Sequence, residues 1–451
     1  MKKIIPTLAI IASSVAAISQ TNPAITSWLQ NTTVKGRHYV SGNSTPITDA
    51  TLTANTQSVQ YSATNVYVTT QGVPSYITGP FLDGNPSLTS NQNAIFKFPL
   101  NPVQNTGSLT PTSGGNIGVF INGVAMFDYR DGVSWKNSTG AMAGGPLGGT
   151  GDGVWNRDAI VAEKGGFDCA KGHPAMGNYH HHQNPSAFDL DLSVISNVCS
   201  LYDADGLYVI DSTVHSPLIG FAYDGFPVYG AYGYKNANGT GGIVRMKSSW
   251  SLRNITTRTT LYTGATVTAG PNVNTTYPLG TFKEDYGYTA PTSSDYLDEH
   301  NGRFCVTPEY PAGIYCYFAT VNSSWNSAYP YLVGPTYYGT KVAAKVTSIT
   351  ETVNTYTTTV GIAKNQSLDV KATVFPNPTN DIIVVQIKDL VKENYNVTLC
   401  DITGKLVDKT ILYQGSTVVF FDTKTLYSGE YFVTLTSESG NKISKKVTIV
   451  K

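Results

Sequence analysis

Ile117-Gly118-Val119-Phe120-Ile121, followed at once by Asn122-Gly123, is the stretch that decides how this chain reads. Apart from its glycine the run is β-branched or aromatic, which suits a pleated, half-buried strand. Asn-Gly then supplies the positive-φ positions of a tight hairpin turn. The same texture repeats outward in Ser58-Val59-Gln60-Tyr61, Asn65-Val66-Tyr67-Val68-Thr69 and Ala94-Ile95-Phe96-Lys97-Phe98, with Gly, Pro and Asn between the runs. The 43 Gly and 23 Pro among 451 residues disfavour long helices. The expectation is a mainly β protein: a large N-terminal β domain with few short helices, and a small C-terminal Ig-like β-sandwich. Two stretches stand apart. Gly140 to Gly153 is glycine-dense and reads as a loop. Trp155 to Glu163 reads as a short helix capped by Asn156.

Composition excludes several classes. Charged residues are 13% and the formal net charge is zero, so there is no basic face for nucleic acid. Gly144-Gly145-Pro146-Leu147-Gly148-Gly149 lacks a following Lys-Ser/Thr, and no Gly-x-Ser-x-Gly is present. No nucleotide or organic cofactor is therefore expected. Lys2-Lys3, the apolar run Ile4 to Ile18 and the small-x-small Ala17-Ile18-Ser19 make residues 1–19 a signal peptide. No other run is long enough for a transmembrane span. An exported chain permits disulfides. Cys305 and Cys316 flank a strand-turn-strand pattern and invite a cross-strand bridge, Cys169 and Cys199 form a second candidate pair, and Cys400 is left as a lone thiol.

Tyr179-His180-His181-His182 holds three of the chain's seven histidines. If this stretch is extended, side chains alternate, and His180 and His182 share a face about 7 Å apart. Tyr179 and His181 then point the other way. A third metal ligand must come from elsewhere. His215 is the first choice, because it precedes a proline and a long apolar run, and His173 is the second. An all-imidazole triad suits Cu or Zn, whereas iron usually adds a carboxylate, for which Asp224 and Glu309 are candidates. The bland readings compete: a solvated His-rich loop, or packed strand histidines with satisfied nitrogens. Asp224 in Tyr223-Asp224-Gly225-Phe226 also reads as the cap of its own turn.

Two segments resemble known families. Gly177-Asn178-Tyr179-His180-His181-His182, His215 to Gly230, Leu297 to Phe304 and Pro308 to Tyr317 together resemble the YHYH-domain family, named after a Tyr-His-Tyr-His signature. His181 stands where that signature has its second Tyr. Phe375-Pro376-Asn377-Pro378-Thr379-Asn380, Asp401-Ile402-Thr403-Gly404-Lys405 and Tyr427 to Val433 resemble the C-terminal sorting domain of the type IX secretion system. That resemblance implies a Bacteroidetes-type envelope, the secretion machinery as a partner, and a secreted or surface-attached product. The expected domains are 20–340 (YHYH-type), a linker at 341–370, and 371–451 (sorting). The leading function is a secreted metal-binding protein, with His180, His182 and His215 as ligands and His173 as a weaker candidate. One alternative is a hydrolase in which a metal-bound water or a His/carboxylate pair acts, with Asp224 or Glu309 as base. The other is a carbohydrate- or surface-binding module in which Tyr and Trp stack on sugars.

Overall fold

The computed structural model describes residues 21–40, 45–81, 88–186, 207, 208, 210–341, 345–357, 372–388, 391, 393–402, 404–437 and 442–451. The expected leader and Cys199 lie outside these residues. The chain divides into two compact units, Met1–Thr357 and Thr358–Lys451. The protein is mainly β, and its described helices are single turns. Among the described residues no helix is long and apolar enough to cross a membrane.

The first unit is built around an eight-stranded sheet. Its strands, in chain order, are β1 (Asn116–Phe120), β2 (Ala125–Phe127), β3 (His173–Ala175), β4 (Asn178–His181), β5 (Leu218–Ala222), β6 (Pro227–Tyr229), β7 (Gly302–Cys305) and β8 (Ile314–Phe318). Their order across the sheet is β3-β4-β2-β1-β5-β6-β8-β7. The Asn122-Gly123 turn joins β1 to β2: Gly123 takes φ +79°, and its amide bonds to Phe120 O at 2.8 Å. A Cβ there would lie 2.2 Å from Thr70 Oγ1, so the close approach of a second sheet also demands glycine. That second sheet is antiparallel and contains Thr56–Tyr61, Asn65–Thr70 and Ala94–Pro99. Phe98 from it and Phe221 from β5 approach to 6.2 Å between ring centroids, and Trp28 stacks on Phe98 and packs tilted against Phe221. This fully buried aromatic cluster is the core between the two sheets.

Three local expectations are corrected. Asn156 does not cap a helix. It belongs to a short strand, Asn156–Asp158, and the helix is Ala159–Glu163, capped by the Asp158 carboxylate through Ile160 N and Val161 N. Asn156 Nδ2 is already engaged by Gly153 O and Glu284 Oε1. The glycine-dense stretch is not all loop, because Ala141–Gly144 pairs antiparallel with Arg130–Lys136. Cys305 and Cys316 do sit on a hairpin, but they are free thiols with Sγ atoms 3.3 Å apart. Cys316 is opposite Arg303 and Cys305 opposite Ile314, so the two cysteines are not a directly facing pair. Within the segment read as linker, Lys345–Val346 and Asn354–Tyr356 pair with Ala94–Pro99 and Thr56–Tyr61 of the first unit.

The second unit has an antiparallel three-stranded sheet, Ala372–Phe375, Ile382–Ile387 and Val418–Asp422. Its four-stranded sheet comprises Leu406–Leu412, Tyr395–Asp401, Gly429–Ser437 and Lys442–Ile449. Burial alternates along Ile382–Ile387 and Val418–Asp422. The inward set, including Ile383, Val385, Val397, Leu399, Phe421 and Leu435, forms one core, as in a β-sandwich.

Candidate metal centre

The centre begins with a hairpin. β3 and β4 are joined by Met176-Gly177, both at positive φ (49° and 81°), the signature of a type I′ turn. This register sets His173 directly opposite His180. β4 also pairs in parallel with β2, so His180 sits beside Ala125. His182 follows the strand and stays on the same face as His180, while His181 is turned away. Phe127 stacks on the His180 ring at 3.6 Å, and Phe167 packs edge-on against His173 at 4.9 Å. All three rings are buried, and one nitrogen from each falls within 4.8 Å of the others.

Hydrogen bonds fix the tautomers. His180 Nδ1 lies 2.9 Å from Asn178 O, and His182 Nδ1 lies 2.5 Å from Asp128 O. A carbonyl accepts only, so both Nδ1 atoms carry a proton, and each Nε2 offers a lone pair whenever its ring is neutral. Those two Nε2 atoms face each other at 3.1 Å. The Glu163 carboxylate, at the last residue of its helix, lies 3.1 Å from His182 Nε2 and 3.3 Å from His173 Nε2, where it accepts from a proton-bearing nitrogen of either ring. Burial alone would raise the Glu163 carboxyl, but the hydrogen bonds to His173 and His182 outweigh it and bring it down to about 2. Burial, followed by the neighbouring His182 and His173, holds His180 well below its ordinary value. These nitrogens and the Glu163 carboxylate converge on one point, an arrangement that could hold shared protons or a metal ion. A ligating imidazole whose Nδ1–H is held by a main-chain carbonyl is the usual support of a metal site. In a tetrahedral zinc site ligand nitrogens are about 3.3 Å apart, close to the 3.1 Å between the His180 and His182 Nε2 atoms.

His181 plays another part. Its Nδ1 donates to Lys171 O at 3.1 Å, and its Nε2 accepts from Tyr76 Oη at 2.6 Å. Both nitrogens are used, and burial lowers the ring to about 3, so it is a neutral packed residue. His215 does not join the centre. It precedes β5, and β4 and β5 are separated by β2 and β1, about 14 Å across the sheet. Its Nδ1 donates to Ser216 O, and its ring packs on Tyr229 and Tyr234. Asp224 is fully buried and accepts from Tyr317 Oη at 2.6 Å and Gly339 N at 2.8 Å, while Glu309 accepts from Tyr229 Oη at 2.8 Å. Neither carboxylate reaches the histidines. Glu163, which the sequence reading passed over, supplies that group instead. The centre opens onto a cleft of about 160 Å³ whose other lining groups include Arg130 and Asp131. Burial raises the Asp131 carboxyl, against the pull of Arg157.

A family model described as YHYH protein matches residues 95–330. The chain belongs to the YHYH family. The YHYH match encloses every group of the centre, from Glu163 to His182. Residues 373–450 match a secretion system C-terminal sorting domain, which points to handling by the type IX secretion system, secretion and cell-surface attachment. A comparison with curated proteins found no match. Among solved structures, the chain is similar to a DUF3244 family protein with an immunoglobulin-like β-sandwich fold from Bacteroides vulgatus. That likeness is 14% identical, covers 17% of this chain and 81% of that chain, and has a TM-score of 0.16.

Proposed function

We propose that this secreted YHYH protein binds one divalent transition metal through His173, His180 and His182, with Glu163 as fourth ligand or proton acceptor. The observation that carries the reading is the pair of Nε2 atoms held face to face at 3.1 Å, with each Nδ1 tied to a main-chain carbonyl. The imidazole count favours zinc or copper, and the Glu163 oxygen also admits iron. The test is elemental analysis of untagged protein after dialysis against zinc, copper or iron. Near one equivalent of ion is expected for wild type and for His215→Ala, and little for His180→Ala or His182→Ala. No retained ion in wild type, or equal loss from His215→Ala, would sink the reading.

The cleft favours a catalytic use over storage, because an ion ringed by protein alone has no open position for water or substrate. In that use the bound ion would lower the pKa of a water, and Glu163 or Asp131 would hold its proton. Asp224 and Glu309 are dropped as bases, since both are spent on buried tyrosine hydroxyls.

A further inference from the structure

The cleft at the histidines does not end there. It shares Gly114, Arg130 and Gly132 with a second hollow of about 350 Å³. That hollow shares Gly153 with a third, of about 330 Å³. The three form one track across the first unit. Its middle is floored by main chain, because the stretch from Gly144 to Gly153 contributes mostly glycines, and the side chains added are those of Ser134, Thr150 and Asn156. Arg130 is the charged exception, and its guanidinium is taken by the Asp128 carboxylate and Thr112 O.

The third hollow is walled by Trp250, Tyr262, Tyr286 and Tyr329. Tyr262 stands edge-on to Trp250 at 5.0 Å, and Tyr286 stacks on Tyr329 at 4.1 Å. Tyr262 is 47% exposed and brings this wall to solvent, while Trp250 and Tyr329 behind it are buried. Lys283 and Glu284 at its rim face each other at 3.6 Å, and Glu284 also binds Asn156. The charges along the track are therefore matched within the protein. A charged polymer finds no free counter-charge among these lining groups. A peptide would be favoured by a free strand edge, yet Asn156–Asp158 has its edge taken: Asn156 N by Glu284, Asp158 N by Thr281 O, and Arg157 by a bridge to Phe282. What remains is the exposed Tyr262 ring backed by Trp250 at one end, and main-chain groups with the Thr150 hydroxyl along the floor. That combination matches the apolar ring faces and neutral hydroxyls of sugars.

We propose that this track binds a neutral oligosaccharide, seated on the Trp250–Tyr262 wall and running along the glycine floor toward the histidines. Its arrival at a metal rests on the metal-centre reading, whereas the aromatic seat does not. The test titrates the full exported chain with neutral gluco-, xylo-, manno- and galacto-hexasaccharides by calorimetry. At least one is expected to bind with Kd below about 1 mM. Tyr262→Ala should weaken it by about tenfold, the size of one lost aromatic contact, and Thr150→Trp should block the floor with a similar loss. No binding by any of the sugars, or unchanged binding by both variants, overturns the proposal. His180→Ala separates the two readings: it is expected to lose the ion and keep sugar binding within about twofold. A wild type that binds sugar but holds no ion overturns the metal reading alone.

Discussion

Asp224→Asn tests whether this carboxylate is structural or chemical. Asp224 lies at the turn between β5 and β6 with no exposed surface, accepting from Tyr317 Oη, Gly339 N and Phe226 N. Burial raises its carboxyl to about 6, and those three hydrogen bonds pull the other way. The unfolded chain releases this proton near pH 3.8, so between pH 4 and 6 the folded state holds more protons than the unfolded state. The stability that Asp224 contributes is therefore fully present below about pH 4 and is lost as pH rises through about 6. A gap of roughly two pH units corresponds to about 3 kcal/mol. Asn cannot titrate, so Asp224→Asn should be more destabilising at pH 4 than at pH 8, by about 3 kcal/mol. Urea denaturation followed by tryptophan fluorescence measures this cleanly, because all five tryptophans lie in the first unit. A difference that is flat with pH, or larger at pH 8, would refute the reasoning. It would mean that the three donors keep the carboxylate ionised in the fold.

Three further outcomes follow from the geometry. Met176 is 93% exposed at φ 49° in a type I′ turn, so Met176→Asn should stabilise by about 1 kcal/mol and leave metal retention unchanged, as read by urea midpoint and elemental analysis. Zinc at a hundredfold excess over Kd should stabilise wild type by about 2.7 kcal/mol and His180→Ala not at all; equal shifts would place the ion elsewhere. Alkylation in denaturant without reductant, read by peptide mass spectrometry, should label both Cys305 and Cys316, and protection of the pair would show a bridge between them.

Much of the fold was legible because the strands obey simple rules. Asn122-Gly123 and Asp224-Gly225 each announce a turn, and each forms one, with both glycines at positive φ. Along Ile382–Ile387 burial alternates although five of its six residues are apolar, so its inner face shows only in the fold. The misses share a cause, namely that local preference was overruled by a partner distant in sequence. Asn156 is a good cap in isolation, but Glu284 holds both its amide and its side chain, so the cap passes to Asp158. Part of the glycine-dense stretch becomes a strand because Arg130–Lys136 offers it an edge, which no local rule foretells.

The centre was half legible for a similar reason. Period-two alternation was enough to divide His180 and His182 from His181. It could not rank His173 above His215, because that choice depends on which strand lies beside β4. The missing signal was the β3–β4 turn, where a methionine occupies a position that normally advertises itself with Asn or Gly. Read as a turn, Met176-Gly177 places His173 across from His180 by counting alone, since both lie the same distance from its centre. Glu163 carried no such signal, because a glutamate at the end of a single-turn helix looks like any solvated acid. Only the fold reveals that the Asp158 cap aims the helix so that its last residue meets the histidines. The main chain completes the design. With Asn178 O and Asp128 O holding both Nδ1 protons, the two Nε2 atoms face each other without side-chain rearrangement.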